Sequence, residues 1–184
     1  MAPPEPINVW FAFVVALAGR LLDVWSTFLV SPTLKLEGNR LARRFGWKFV
    51  LGSIFLALLA FISPFLGIVI GTMSCVMALS NMQTAPLVRH AGGEVEFAKL
   101  ISSGRASSFF NLWRSLLDII AITLPAFCIG GLLLYAVGVA DDGIAGGVAF
   151  GLLAWGMGII AHRTASLVRI VRRNRAARLA GRVR

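Results

Sequence analysis

The stretch FVLGSIFLALLAFISPFLGIVIGTMSCVMALSNM, residues 49–82, contains no charged side chain. An apolar run of this length is typical of a membrane-spanning segment and not of a soluble domain. As a single α-helix it would be roughly 51 Å long, whereas the hydrocarbon core of a bilayer is about 30 Å thick. Because Pro64 lies near its middle and removes a backbone donor, the run predicts either one kinked crossing or the two short arms of a re-entrant hairpin. The kinked single crossing is the simpler interpretation.

Three other apolar runs, at residues 9–30, 109–139 and 144–161, are also long enough to cross a bilayer. Of the 184 residues, 58% are hydrophobic and 14% are charged, and the mean hydropathy is +0.82. One soluble core of this size could not bury so much apolar surface. The sequence therefore predicts an all-α polytopic membrane protein: a bundle of about four transmembrane helices within residues 1–162, followed by a basic tail at residues 163–184.

The tail carries eight arginines and no acidic residue, and it contributes most of the net charge of +10. By the positive-inside rule this predicts a cytoplasmic C-terminus in a multi-pass protein of the bacterial inner membrane. Apolar residues recur among the arginines in a helical rhythm, so we expect the tail to continue the fourth helix and to contact anionic lipid headgroups. Nucleic acid is the less favoured partner.

The number of crossings decides on which side each connector lies. With four crossings, the N-terminus and residues 83–108 are cytoplasmic, and the acidic turn at residues 141–142 is outside. Residues 33–48 would then lie outside despite their five bases. A re-entrant hairpin over residues 49–82 would instead place this connector inside and the base-free N-terminus outside. Four crossings are preferred because unusual topologies are rarer than local violations of the positive-inside rule.

Two pairs of ionisable residues lie inside predicted helices, Arg20 with Asp23 and Arg114 with Asp118. Charges at membrane depth cost several kcal/mol unless they are paired. The surrounding strings GRLLDVWST and WRSLLDIIAIT resemble each other, which indicates a repeat of helix pairs. One hypothesis is that Asp23 and Asp118 face each other and form a proton- or cation-responsive site. The favoured hypothesis is that each acid neutralises its neighbouring arginine and joins helices.

A further set of residues begins in the first helix and extends into the connector after it: Asp23, Thr27, Glu37, Asn39 and Leu41. On these residues the first third of the chain, roughly residues 21–59, resembles a family of small uncharacterised bacterial membrane domains. In that family an Asp-x-x-x-Thr pattern is followed by Glu-x-Asn-Pro-Leu, whereas this chain has Arg40 in place of the proline. The resemblance implies a membrane domain and brings no activity with it.

Asp23, Glu37 and Asn39 offer the hard oxygen ligands that suit a divalent cation. Carboxylates and amides also cap helices, and capping is the favoured interpretation. The two histidines and two cysteines lack the spacing of a metal or redox motif. No metal and no cofactor are therefore expected.

Glycines recur at intervals of four residues in two of the predicted helices: Gly67 and Gly71 in the second, and Gly143, Gly147 and Gly151 in the fourth. Such faces allow helix backbones to approach closely. They predict tight packing between helices two and four, or a homodimer through helix four.

Catalytic motifs such as Gly-x-Ser-x-Gly or a phosphate-binding glycine loop do not occur in the sequence. The favoured function is a non-catalytic accessory or assembly subunit of a membrane complex. The second is a small transporter or permease component that uses the Arg/Asp pairs. The third is a membrane-embedded enzyme on lipid-linked substrates, with Asp23 and Glu37 holding a cation.

Overall fold

The computed structural model describes residues 7–37, 40–104, 109–137 and 143–181. Every regular element in these ranges is helical. In chain order they are α1 (Val9–Val30), α2 (Arg40–Phe45), α3 (Trp47–Gly52) with a 3₁₀ segment (Ser53–Phe61) directly after it, α4 (Pro64–His90), α5 (Glu94–Gly104), α6 (Phe109–Val137) and α7 (Ile144–Gly181). Four of them, α1, α4, α6 and α7, are long and apolar enough to cross a membrane. The predicted all-α bundle with about four spanning helices is confirmed, and it is compatible with an integral membrane protein.

The uncharged run at residues 49–82 is not one helix, because the chain breaks at Ser63. Ser63 has an extended backbone (φ −149°, ψ 115°), and α4 begins at Pro64. A proline disfavours helical conformation in the residue before it, but it fits the first turn of a helix, where its missing donor is not needed. Ser63-Pro64 therefore ends one helical segment and begins the next. The prediction of a single kinked crossing over these residues is wrong.

The segment before the break, residues 47–61, runs antiparallel to α1 and follows almost the whole length of α1. Near its start, Nε1 of Trp47 donates to the Pro32 carbonyl oxygen at 2.8 Å. At its end, the ring centroid of Phe61 lies 5.2 Å from that of Trp10. Because a 3₁₀ helix rises about 2.0 Å per residue and an α-helix about 1.5 Å, the segment is roughly 27 Å long. It therefore covers nearly the same distance as the longer helix α1.

Helix α4 then returns in the direction of α1. Ile68 near its start packs with Ala12 near the start of α1, and Ala85 near its end packs with Val30, the last residue of α1. The connectors that follow α1 and α4 therefore lie at the same end of the bundle. This is the arrangement of the hairpin alternative, and it brings the basic connector at residues 33–48 to the same end as the start of α5.

The closest approach between spanning helices is the crossing of α1 and α4 at two glycines. A Cβ atom on Gly19 would lie 2.7 Å from the Gly71 carbonyl oxygen, and one on Gly71 would lie 2.6 Å from Cγ1 of Val15 and 2.9 Å from the Val15 carbonyl oxygen. Cβ atoms do not approach other atoms so closely, so the two backbones touch here because neither glycine has a side chain. Gly67 also faces α1, where a Cβ would lie 3.0 Å from that of Ala12.

Two of the glycines of α7 face α4. Gly147 lies against Ile68 and Gly151 against Thr72, and the common order of these contacts shows that α4 and α7 run parallel. The two predicted glycine faces thus pack on different neighbours, since the α4 glycines contact α1 and the α7 glycines contact α4. Both sets of contacts lie within one chain.

Helix α6 packs mainly against α7. Phe127 lies against Gly156, whereas Gly130, further along α6, lies against Leu153, so the two helices are antiparallel. Helix α7 continues to Gly181, in agreement with the helical rhythm of the tail. Since α1, α4 and α7 run the same way, the connectors that follow α1 and α4 and the basic tail all lie at one end of the bundle. This end is called the basic end below.

Candidate polar site and adjoining cleft

The polar site is built on an ion pair in the middle of α1. Nη1 of Arg20 lies 2.8 Å from Oδ2 of Asp23, and the spacing of three residues places both side chains on one helix face. Nη1 also donates to Oγ of Ser74 at 3.2 Å, and Nη2 donates to Oγ of Ser53. Because Ser53 belongs to the 3₁₀ segment and Ser74 to α4, one guanidinium joins three helical segments. This is the helix-joining role that the sequence favours for the pair.

Asp23 has one oxygen that the ion pair does not use. The side chain is 8% exposed, and its Oδ1 has no hydrogen-bond partner within the described parts of the chain. Glu37, in the connector after α1, lies near enough for the two carboxylates to repel each other.

Asn81 of α4 extends the site toward the basic end. Its Nδ2 donates to Oγ of Ser26 and to Oγ1 of Thr27, both at 3.1 Å, and Oγ of Ser26 donates to the Asp23 carbonyl oxygen at 2.9 Å. Sequence reasoning identified Thr27 but not Asn81, which lies near the end of the uncharged run at residues 49–82. An amide inside an uncharged helix needs a polar partner when it is buried, and that need is the signal in the sequence that indicates Asn81.

A cleft of about 500 Å³ lies beside this polar site, between α1, α4 and α7. It is lined by hydroxyl, amide, carboxylate and apolar side chains and by one glycine: Thr27, Val30, Ser31, Leu36, Glu37, Met73, Met77, Asn81, Trp155, Gly158 and Ile159. The indole N–H of Trp155 is buried and has no acceptor among the residues that the structure describes. Polar groups therefore gather on the α1 and α4 side of a largely apolar cleft.

Glu94, the first residue of α5, binds the connector that follows α1. Its two carboxylate oxygens accept from five donors: Oγ of Ser31, the backbone N–H of Thr33 at 2.9 Å, Oγ1 of Thr33 at 2.6 Å, and the backbone N–H groups of Lys35 at 2.5 Å and Leu36 at 3.2 Å. Burial alone would raise the pKa of Glu94, but the hydrogen bonds from Ser31, Thr33 and Lys35 lower it to about 2. A residue pattern does not indicate this contact, since the backbone N–H groups that donate to Glu94 occur in every sequence.

The structure brings some of the predicted site residues together, and others lie outside the described part of the chain. Arg20, Asp23, Thr27 and Glu37 lie together, and three of them belong to the motif of the family resemblance. Asn39 lies outside the described residues, and Arg114 and Asp118 lie in α6 with side chains outside the described part, so the pairing of Asp23 with Asp118 stays a prediction. Comparison with protein-family models, with curated proteins and with solved structures gives no match for this chain.

Proposed function

We propose that this protein is a non-catalytic accessory or assembly subunit of a membrane complex in the bacterial inner membrane, and that α6 is the helix that contacts the partner. The observation that carries the proposal is the one-sided packing of α6, which lies mainly against α7. The other faces of α6 expose large apolar side chains, among them Leu132 at 68% and Tyr135 at 89%. Its sequence also contains Arg114 and Asp118, charges that are costly against lipid alone.

The charges of α1 support the same proposal. Arg20 is committed to Asp23, Ser53 and Ser74, which are all in the same chain, and Glu94 holds the connector after α1 by hydrogen bonds. These polar groups fix the helices relative to one another. A rigid bundle with one weakly enclosed helix suits a subunit that docks onto another membrane protein.

Photocrosslinking tests this proposal. We expect a benzophenone amino acid in place of Leu132 on α6 to crosslink to one membrane protein in native membranes, and the same amino acid in place of Leu21 on α1 to give lipid adducts only. Leu21 is the matched control because it is a leucine on a spanning helix and is 49% exposed. Deletion of the gene should lower the abundance of the crosslinked protein. Equal crosslinking from both positions, or lipid adducts alone from Leu132, would contradict the proposal.

We also propose that the basic end is cytoplasmic and that the tail contacts anionic lipid headgroups, as the positive-inside rule and the arginines of the tail favour. We further propose that residues 21–59 are related to the family of small bacterial membrane domains that they resemble. It is supported by the grouping of Asp23, Thr27 and Glu37.

Cysteine labelling tests the orientation. In a background without Cys75 and Cys128, a membrane-impermeant thiol reagent on spheroplasts should label Asp141→Cys, whereas Lys35→Cys and Lys99→Cys should react only after permeabilisation. Lys35 and Lys99 lie in the connector after α1 and in α5, at the same end of the bundle. Opposite behaviour of these two positions would contradict the hairpin. Labelling of both Lys35→Cys and Lys99→Cys on spheroplasts would contradict the cytoplasmic assignment of the basic end but not the hairpin.

A further inference from the structure

The chain turns a corner between α2 and α3, at the basic end of the bundle. This basic corner, residues 40–48, is fixed to the residues that directly follow α1. Ala42 is buried and packs with Leu34, and Nε1 of Trp47 donates to the Pro32 carbonyl oxygen at 2.8 Å. The side chains that the basic corner exposes therefore have a defined position at the end of the bundle.

Three exposed bases of the basic corner, Arg43, Arg44 and Lys48, have no acidic partner among the residues that the structure describes. The sequence of residues 40–48 itself contains no acid. In the two connectors at this end and in the tail, four ranges have side chains outside the described part: residues 38–40, 100–108, 162–163 and 165–184. These ranges contain no acid either. The positive charge of the three bases is therefore not paired by an acid of either connector or of the tail.

Two exposed apolar side chains lie among these bases. Leu41 and Phe45 are four residues apart in α2, so they share one face of this helix, and they are 49% and 55% exposed. The guanidinium carbon of Arg44 lies 5.5 Å from the centre of the Phe45 ring. After Lys48 the chain continues into the uncharged run at residues 49–82. The basic corner therefore combines bases and apolar side chains at the point where an apolar arm of the bundle begins.

An anionic lipid matches both parts of this surface. Guanidinium and ammonium groups donate to phosphate oxygens, and aromatic and aliphatic side chains next to bases are typical of segments that lie in the membrane interface. A soluble phosphate would contact only the bases and leave Leu41 and Phe45 in water. We propose that the basic corner binds an anionic phospholipid, with the phosphate at Arg43, Arg44 and Lys48 and acyl carbons against Leu41 and Phe45.

This lipid site is distinct from the contacts proposed for α6 and for the tail, and it depends on neither of them. It also holds for either orientation of the bundle, since anionic lipid can lie in whichever leaflet the basic end meets. A negative result in the crosslinking of α6 or in the cysteine labelling would therefore leave the lipid site untouched.

Photocrosslinking from the basic corner identifies the lipid. The full-length protein carries a benzophenone amino acid in place of Phe45, in nanodiscs of equal phosphatidylglycerol and phosphatidylcholine, and mass spectrometry gives the ratio of the two lipid adducts. We expect phosphatidylglycerol adducts to exceed phosphatidylcholine adducts about tenfold or more, because each base near an anionic lipid surface contributes about fivefold in affinity. The control is the same amino acid in place of Phe55, which is exposed on the 3₁₀ segment of the same arm and should give the two adducts in nearly equal amounts.

A charge variant shows whether these bases cause the preference. Arg43→Gln together with Arg44→Gln should lower the excess of phosphatidylglycerol adducts about fivefold or more. Its control is Arg89→Gln together with Lys99→Gln, which removes two exposed bases from the same end of the bundle and should leave the excess unchanged. Equal adducts of the two lipids at position 45, an equal loss in both double variants, or crosslinking of position 45 to a protein in native membranes would overturn the proposal.

Discussion

Replacing Gly71 with valine is expected to prevent the bundle from forming or to lower its free energy of unfolding by about 3 kcal/mol or more, the upper range for overpacking a tight contact. The added Cβ would lie 2.6 Å from Cγ1 of Val15 and 2.9 Å from the Val15 carbonyl oxygen. The side chain of Val15 could rotate away, but the carbonyl belongs to the backbone of α1. Helices α1 and α4 would therefore have to separate along their closest contact, and the distances from Arg20 to Ser74 and from Asn81 to Thr27 would increase with it.

The matched control for this prediction is Gly131→Val. It introduces the same side chain into the helix interior of α6, at a position where a Cβ meets nothing within 4 Å. Thermal unfolding in detergent, followed by circular dichroism and by aggregation on a sizing column, should separate the two variants clearly. Equal unfolding temperatures for both would show that α1 and α4 do not touch at Gly71.

Replacing Glu94 with glutamine is expected to lower the free energy of unfolding by about 3 kcal/mol at neutral pH. The carboxylate accepts five hydrogen bonds from Ser31, Thr33, Lys35 and Leu36. A glutamine has one acceptor oxygen, and its NH₂ group would face at least one backbone N–H group, which would be left unpaired. Glu96→Gln serves as control, because the Glu96 carboxylate is exposed and pairs with the surface residue Lys99. A Glu94→Gln protein as stable as Glu96→Gln would show that the hydrogen bonds from residues 31–36 to Glu94 do not stabilise the fold.

The same carboxylate gives a pH dependence with a defined sign. The pKa of Glu94 is about 2 in the folded protein against an ordinary value of 4.5, so the folded state binds the proton more weakly than the unfolded state. The stabilisation, on the order of 3 kcal/mol, is fully present above pH 4.5 and is lost as the pH falls from there toward 2. The stability difference between wild type and Glu94→Gln should therefore shrink by more than half between pH 7 and pH 3. A difference independent of pH would contradict this account.

Much of the helical layout could be predicted from the sequence, because long apolar runs have few structures available in a membrane. The bounds of α1 were predicted to the residue, and the partner of Arg20 follows from helical spacing alone. The direction of residues 47–61 could not be predicted in this way. Hydropathy measures the length of an apolar run, but Pro64 is compatible both with a kink inside a helix and with the first turn of a new one.

The candidate site was predicted only in part for a related reason. Asp23, Thr27 and Glu37 are conspicuous because their polar side chains interrupt or follow an apolar run. The connection of Asn81 to Thr27, and the cleft closed by Trp155, depend on how three distant helices pack. Glu94 depends on backbone N–H groups in residues 33–36, and every sequence has such groups. Contacts made through the backbone become visible only with the fold.

The turn at residues 62–63 bears on how the chain enters the membrane. Its side chains are one isoleucine and one serine, so among the side chains of the hairpin tip only one hydroxyl, and no charge, has to be dehydrated when the tip moves through the lipid interior. The two arms can therefore insert together from the basic end as one unit, without a polar loop to translocate. If the basic end is cytoplasmic, as proposed, insertion of this kind would leave the bases of residues 33–48 on the side where they were synthesised and would bring Glu94 back to the connector to which it is hydrogen-bonded.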